Sequence, residues 1–250
     1  MRQDEPLKKE DETLDSFYEG QIQVLQKKKG YRFSVDAPLL ADFIQPQKGD
    51  ELLDLGTGSG IISLLLSFKP YHRITALEVQ PSLADLARRN VKLNGLEDRI
   101  TVVEKDLFQF HPSQRFDVIF SNPPYIKKQV GHLSPCLEKS VAKHEIKCDI
   151  EGVMQKTVKL LKKEGKSYFI FPARREDDFM EALKRSGMKI KKIRYVYPST
   201  EEPPHFFMTE CDLISLEMIP LNPMVLYDRK GNYTPEVKQI FTGRRDERTP

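Results

Sequence analysis

The chain opens on a charged stretch, MRQDEPLKKEDE, with few apolar residues, and residues 1–16 read as a disordered tail. Alternation begins in GQIQVLQ and resumes after KKKG in YRFS, which predicts a β-hairpin with Gly30 in its turn. SVDAPLLADFI shifts to a helical period, with Ser34 or Asp36 as cap and Pro38 in the first turn. From residue 51 short apolar runs alternate with helical stretches. ELLDL, ITALEV, ITVVEKD and FDVIF are the first four strands of this region, and Ser59–Phe68 and Pro81–Asn94 are helices between them. Pro81 opens the second helix, Leu83, Ala87 and Val91 stripe it, and Asn94-Gly95 ends it. A helix over Ile146–Lys163 follows, with Ile150, Val153, Thr157 and Leu161 on one face and Gly165 as its stop. SYFIF is a fifth strand, Glu176–Ser186 a helix, KKIRYVY a sixth strand and CDLISLEMI a seventh, and GNYTPEVKQIF carries a short helix capped at Thr234.

Buried strands alternating with helices imply an α/β fold: a seven-stranded, mostly parallel sheet with helices on both faces. The expected organisation is a tail over 1–16, a small hairpin and helix extension over 17–50 packed on the core, an α/β domain over 51–220, and a C-terminal extension over 221–250. Ligands of such sheets sit at the carboxyl ends of the strands, near the point where strand order reverses. The chemistry should therefore lie just after strands.

Composition adds little. Hydrophobic residues are 39%, charged residues 31%, and the formal net charge of the 250 residues is +3. Cys136, Cys148 and Cys211 form no CxxC pair and no zinc spacing, so free thiols in a reducing cytoplasm are expected, with no metal. No targeting segment is visible, and the apolar run Ile61–Leu66 is far too short to cross a membrane.

DLGTGSG, Asp54–Gly60, joins the first of these strands to the first helix. Gly56, Gly58 and Gly60, with Thr57 between them, let the backbone turn tightly and bring its N–H groups near a ligand. The spacing is G-x-G-x-G, neither the dinucleotide pattern nor a Walker loop. Glu78 ends the next strand, placed to accept bonds from ribose hydroxyls, and Val79 follows it. Asp106 ends the third, placed for an exocyclic adenine amine, with Leu107 and Phe108 walling the ring. Three acids and no basic residue in these loops argue against a diphosphate and suit a cationic nucleoside, S-adenosylmethionine, whose ammonium group Asp54 would hold directly or through water. DLGTGSG, the acid of LEV and KDL resemble a class I methyltransferase, which implies a Rossmann-like fold.

SNPPY follows the fourth strand: Asn122, Pro123, Pro124 and Tyr125 stand where the methyl group is expected. Each proline gives up a ladder hydrogen bond. What the prolines offer is a stiff pair of acceptors, the Asn122 side-chain oxygen and the Pro123 carbonyl, with Tyr125 to stack on a flat group. NPPY resembles the motif of methyltransferases acting on planar nitrogen, both the adenine-N6 enzymes and the glutamine methyltransferases of release factors.

The flanks separate the two. GQIQVLQKKKGYRFSVDAPLLADFI, the VAKHE stretch and PMVLYDRKGNYTPEVKQIF resemble the bacterial tRNA(Val) adenine-N6 methyltransferase family. The resemblance implies tRNA as substrate, at the adenosine just after the anticodon. A glutamine methyltransferase of release factors, and a non-catalytic RNA-binding module that kept the fold, are the alternatives. For RNA contact the candidates are Lys127 and Lys128, directly after the motif, and Tyr31 as a stacking ring. Lys27–Lys29, the group Lys184, Arg185, Lys189, Lys191, Lys192 and Arg194, and Arg244, Arg245 and Arg248 are further basic clusters. His144-Glu145 is assigned a structural role, and oligomeric state is left open.

Overall fold

The computed structural model describes residues 8–29, 32–123 and 150–243. The hairpin is there, but one arm lies earlier than the alternation implied. β1 (Glu12–Phe17) pairs antiparallel with β2 (Ile22–Lys27), and the chain reverses through Tyr18–Gly20, whose φ values are all positive. KKKG is therefore not the turn of this hairpin: Lys27 closes β2, and Gly30 lies outside the described residues.

Residues 12–16, expected in a disordered tail, are thus a strand, and Glu12 explains why. Its side chain is fully buried and takes paired bonds from the Arg89 guanidinium at 2.7 Å each, with the Lys9 N–H at 2.9 Å and the Lys27 ammonium at 3.3 Å. A residue that reads as a solvated charge is an anchor. Burial alone would raise its pKa; Arg89, the Lys9 N–H and Lys27 outweigh that and hold it at about 2. Glu12→Gln is expected to cost about 2 kcal/mol at pH 7, because the Arg89 guanidinium keeps Asp85 at 3.1 Å but loses charge-assisted bonds to its buried partner. The folded carboxyl titrates below its unfolded value near 4.5, so the stabilisation is full above pH ~4.5 and fades as pH falls toward ~2. Urea unfolding of both proteins at pH 7 and pH 3 should show the gap narrowing; an equal gap at both would contradict the assignment.

α1 (Asp36–Phe43) buries Leu39, Leu40 and Ala41. Val35 occupies its N-cap, and neither Ser34 nor Asp36 fills that place. Instead the Ser34 hydroxyl donates to Asp36 Oδ1 at 2.6 Å, and the same oxygen accepts the Ala37 N–H at 3.0 Å. At the other end the Lys69 ammonium donates to the carbonyls of Ala41, Asp42 and Ile44 at 2.8, 2.6 and 2.5 Å, a cation where the helix carbonyls lack partners.

The main sheet runs β8 (Lys189–Tyr197), β9 (Phe206–Asp212), β7 (Leu161–Pro172), β6 (Phe116–Ser121), β3 (Glu51–Leu55), β4 (Arg73–Glu78), β5 (Ile100–Glu104). β3, β4, β5, β6 and β7 are parallel neighbours. Successive residues point to opposite faces. Leu52, Val118, Phe120, Tyr168 and Ile170 pack under α1, α2 (Ile61–Leu65) and the hairpin, while Leu53, Ile119, Phe169 and Phe171 pack under α4 (Ile150–Leu160) and α5 (Glu176–Ser186). α3 (Pro81–Leu93) follows β4 as expected, ending at the Asn94 cap with Gly95 at φ +64°. Strand order reverses between β3 and β6, which opens a crevice at their carboxyl ends.

Two boundaries differ from the expectation. α4 ends at Leu160, and Leu161 already pairs with Phe116; the register then jumps, Val118 facing Lys166. Gly165 sits in that irregularity, where an added Cβ would meet Leu161 and the Asp117 carbonyl at 2.8–2.9 Å. The glycine answers a close approach, not a helix stop. The seventh strand is β9 (Phe206–Asp212), buried throughout and inserted antiparallel between β7 and β8 (Lys189–Tyr197). LISLEMI mostly loops outward, with Leu216 99% exposed, and only β10 (Ile219–Pro220) joins the edge of β8.

β11 (Met224–Val225) also adds to β8, and α6 (Pro235–Thr242) returns Val237 and Ile240 into the core beside Leu39 and Leu40. Thr234 precedes α6, but its hydroxyl donates to the Val225 carbonyl at 2.8 Å instead of capping the helix.

Candidate active site

The loop after β3 is shaped by its glycines. Gly56, Gly58 and Gly60 have φ of +74°, +59° and +85°, the left-handed region. The Gly56 and Thr57 N–H groups both donate to the Leu77 carbonyl at 2.9 Å, which lays the loop across the end of β4. Beneath it Asp54 is buried, and its Oδ2 accepts the hydroxyls of Thr57 at 2.6 Å and Ser63 at 2.7 Å. Its Oδ1 is buried with no hydrogen-bond partner. Burial pushes this carboxyl up to about 7, against the pull of the two hydroxyls and with a further push from the nearby Glu78 charge.

Glu78 ends β4 and is 5% exposed. One oxygen accepts the Gly58 N–H and the other the Gln80 N–H, each at 2.9 Å. Burial raises this carboxyl above the usual range, while the backbone N–H groups of Gln80, Gly58 and Val79 pull the other way. After β5, Asp106 Oδ1 accepts the Phe108 N–H at 2.7 Å and starts a short 3-10 turn over Leu107–Gln109. After β6, the Ser121 hydroxyl donates to the Leu55 carbonyl at 2.8 Å, bracing the two strands at the reversal.

One cleft of about 620 Å³, part of it open solvent, brings together Gly56, Glu78, Val79, Asp106, Leu107 and Pro123. Asp54, Thr57, Gly58 and Gly60 do not line it; Thr57 and Gly58 reach it through their bonds to Leu77 and Glu78, and Asp54 through its bond to Thr57. Asn122, half-buried, stands between Ser121 and Pro123, both of which line the cleft. Asn122 Nδ2 donates to Asp36 Oδ2 at 2.8 Å. Pro124, Tyr125, Lys127, Lys128 and Tyr31 lie outside the described residues, as do His144, Glu145 and Arg244–Arg248.

The reading of these loops as free of basic residues is corrected: Lys105 also lines the cleft, with its side chain exposed. The cleft still suits a cationic nucleoside. Glu78 keeps lone pairs for hydroxyl donors beyond its two backbone bonds, Asp106 has a second oxygen, and Asp54 Oδ1 is a buried acceptor without a donor. A diphosphate would meet two carboxylates on the same wall.

Two residues that support this site escaped the reading of the sequence. Asn90, fully buried on α3, donates to the carbonyls of Ser59 at 2.8 Å and Leu25 at 3.1 Å and accepts the Leu25 N–H at 2.7 Å, tying the glycine loop to the hairpin. A polar residue beside the Leu83–Ala87–Val91 stripe was the available signal. Asp36, taken as a helix cap, touches Asn122 from 86 positions away.

The basic run on α5 and β8 is largely neutralised. Arg185 pairs with Glu151 and Glu181, Lys192 and Lys191 with Glu210 at 2.9 and 3.9 Å, and Arg194 with Glu236 at 2.6 Å. Lys27 is engaged by Asp11 and Glu12. Among the described residues no group of His, Cys, Asp and Glu is placed to hold a metal, and no helix is long and apolar enough to cross a membrane.

Comparison with known proteins identifies the family and the fold. Residues 31–171, more than half of the chain, match the family described as Methyltransferase small domain. A tRNA1(Val) (adenine(37)-N6)-methyltransferase of Dyadobacter fermentans is 31% identical, over 69% of this chain and 71% of its own. One of Actinobacillus pleuropneumoniae serotype 7 is 27% identical over 88% of this chain and 92% of its own. Among solved structures, a predicted O-methyltransferase of Agrobacterium tumefaciens shares the fold with a TM-score of 0.64 at 19% identity, covering 84% of this chain and 96% of that one. The chain belongs to the methyltransferase small domain family and, within it, to the tRNA1(Val) (adenine(37)-N6)-methyltransferase family of S-adenosylmethionine-dependent enzymes.

Proposed function

We propose that this protein methylates the exocyclic N6 of an adenosine in tRNA, the one next to the anticodon of tRNA(Val), and that it does so in the cytoplasm. The observation that carries the reading is the placement of Asn122: at the carboxyl end of β6, beside Pro123 on the wall of the cleft, with its amide nitrogen held by a carboxylate. S-adenosylmethionine supplies a methyl group on a positively charged sulfur when bound. Gly56, Thr57, Gly58 and Gly60 would form its cradle by close approach of the backbone, since their N–H groups already donate to Leu77, Glu78 and Thr57. Glu78 would accept from the ribose hydroxyls, Val79, Asp106 and Leu107 would hold the adenine, and Asp54 would hold the ammonium group directly or through water.

The difficulty of the reaction lies in the nucleophile, whose lone pair is delocalised into the adenine ring. When both N–H bonds donate to fixed acceptors, the nitrogen becomes more pyramidal and its lone pair is directed away from the ring. Asn122 Oδ1 is one acceptor and the Pro123 carbonyl the other. This is catalysis by orientation and preorganised electrostatics, with the proton leaving to water after attack. Pro124 stiffens the pair, Tyr125 is assigned to stack on the base, and Lys127, Lys128 and Tyr31 to contact the RNA, on their sequence positions alone.

The test is to incubate the protein with labelled cofactor and either bulk tRNA or a release factor. Label in tRNA supports the reading; label in the release factor identifies a glutamine methyltransferase; tight, salt-sensitive RNA binding without transfer identifies a binding module. Asp54 adds a pH signature. Its pKa of about 7 makes it neutral at lower pH, where it cannot pair with an ammonium group. Affinity for S-adenosylhomocysteine is expected to weaken, by up to about tenfold per pH unit below pH ~7. Titration calorimetry between pH 5.5 and 8.5, read with the proton release, checks this; a flat profile contradicts it.

A further inference from the structure

We infer that Asp36 is a positioning residue for methyl transfer: its contact with Asn122 decides which atom of that carboxamide meets the substrate amine. The inference rests on the reaction proposed above and adds a residue that acts through Asn122. A carboxamide is nearly symmetrical in shape and opposite in chemistry at its two ends. Turned over, it presents N–H donors where an oxygen is needed, and an amine that must donate then meets a donor.

Asp36 removes that ambiguity. Its Oδ2 lies 2.8 Å from Asn122 Nδ2. A carboxylate oxygen accepts and an amide nitrogen donates, so with Nδ2 held on Asp36 the carboxamide directs its oxygen away from that contact. Asp36 is itself held. It is 5% exposed, and its Oδ1 takes the Ser34 hydroxyl at 2.6 Å and the Ala37 N–H at 3.0 Å. It opens α1, whose far end is fastened by Lys69. An acid at a helix start is favourable in its own right. That accounts for Oδ1 on Ala37, and not for Oδ2 reaching a residue at the end of β6.

The experiment is a reciprocal exchange. Wild type, Asp36→Asn, Asn122→Asp and the double variant are assayed on tRNA at saturating cofactor, with S-adenosylhomocysteine affinity and Tm measured alongside. Asp36→Asn is isosteric but puts an N–H donor against the Asn122 amide, which favours the turned-over form. Its kcat should fall about 30-fold or more, with KM for tRNA and cofactor affinity within about threefold. Asn122→Asp sets two carboxylates face to face and should lose a similar factor. The double variant restores the polarity. The carboxamide introduced at 36 donates across the same contact, its oxygen keeps Ser34 and Ala37, and the carboxylate at 122 offers the substrate an acceptor. Its kcat should exceed that of either single variant by about tenfold.

Wild-type kcat in Asp36→Asn, or losses that simply multiply in the double variant, would overturn the inference and leave the proposed reaction standing. If Asp36→Asn fails to fold, the comparison of Asn122→Asp with the double variant decides by the same recovery. A wild type that leaves tRNA unmethylated would bring down the reaction and the role of Asp36 with it.

Discussion

Asn122→Ala is expected to lower kcat by about 100- to 1,000-fold, the range seen when one preorganised hydrogen-bonding partner of a transition state is removed. Cofactor affinity should stay within about threefold, because the glycine loop is held by Leu77 and Glu78, and Asn122 sits beside the cleft with its amide nitrogen on Asp36. The amine donates to the Asn122 oxygen most strongly as positive charge develops on it, so the loss belongs to the chemical step. Single-turnover rates and S-adenosylhomocysteine calorimetry separate the two quantities. Equal losses in both would make Asn122 a structural residue of the β6 end.

Glu78→Ala should behave in the opposite way. The carboxylate holds the Gly58 and Gln80 N–H groups and, in the proposed complex, the ribose hydroxyls. Its removal leaves two backbone donors without their acceptor and loosens the loop that cradles the cofactor. Charge-assisted bonds of this kind contribute roughly 1.5–3 kcal/mol each, so affinity should weaken about 100-fold or more. At saturating cofactor kcat should recover to within about fivefold of wild type, because nothing at Asn122 has changed. A kcat that stays low at saturation would mean that the loop also governs the position of the methyl group.

The site was legible in the sequence to the extent that topology concentrates chemistry at strand ends. DLGTGSG, Glu78, Asp106 and SNPPY each follow an apolar run, and the parallel sheet brings Gly56, Glu78, Asp106, Ser121 and Pro123 to one cleft. What was not legible depends on partners distant in sequence. Glu12 looks like a tail charge until Arg89, 77 positions on, is seen to pair with it. The basic run on α5 and β8 looks like a phosphate-binding face until Glu151, Glu210 and Glu236 arrive from other elements. β9 was misplaced for another reason: a strand buried on both faces has no period of two, whereas LISLEMI alternates and is mostly loop. Asp36 has the residue type of a cap and the position of a helix start. Only the fold brings it to Asn122.

The central claim is that the cleft at the β3–β6 reversal presents an adenine amine of tRNA to a methyl donor. The most direct measurement is to incubate the protein with S-adenosylmethionine and total tRNA, digest the RNA to nucleosides, and identify the product by mass and chromatography. N6-methyladenosine is the expected product, formed about 100- to 1,000-fold more slowly with Asn122→Ala. A methyl group on a ring nitrogen, on ribose or on another base, or RNA left unmodified, would contradict it.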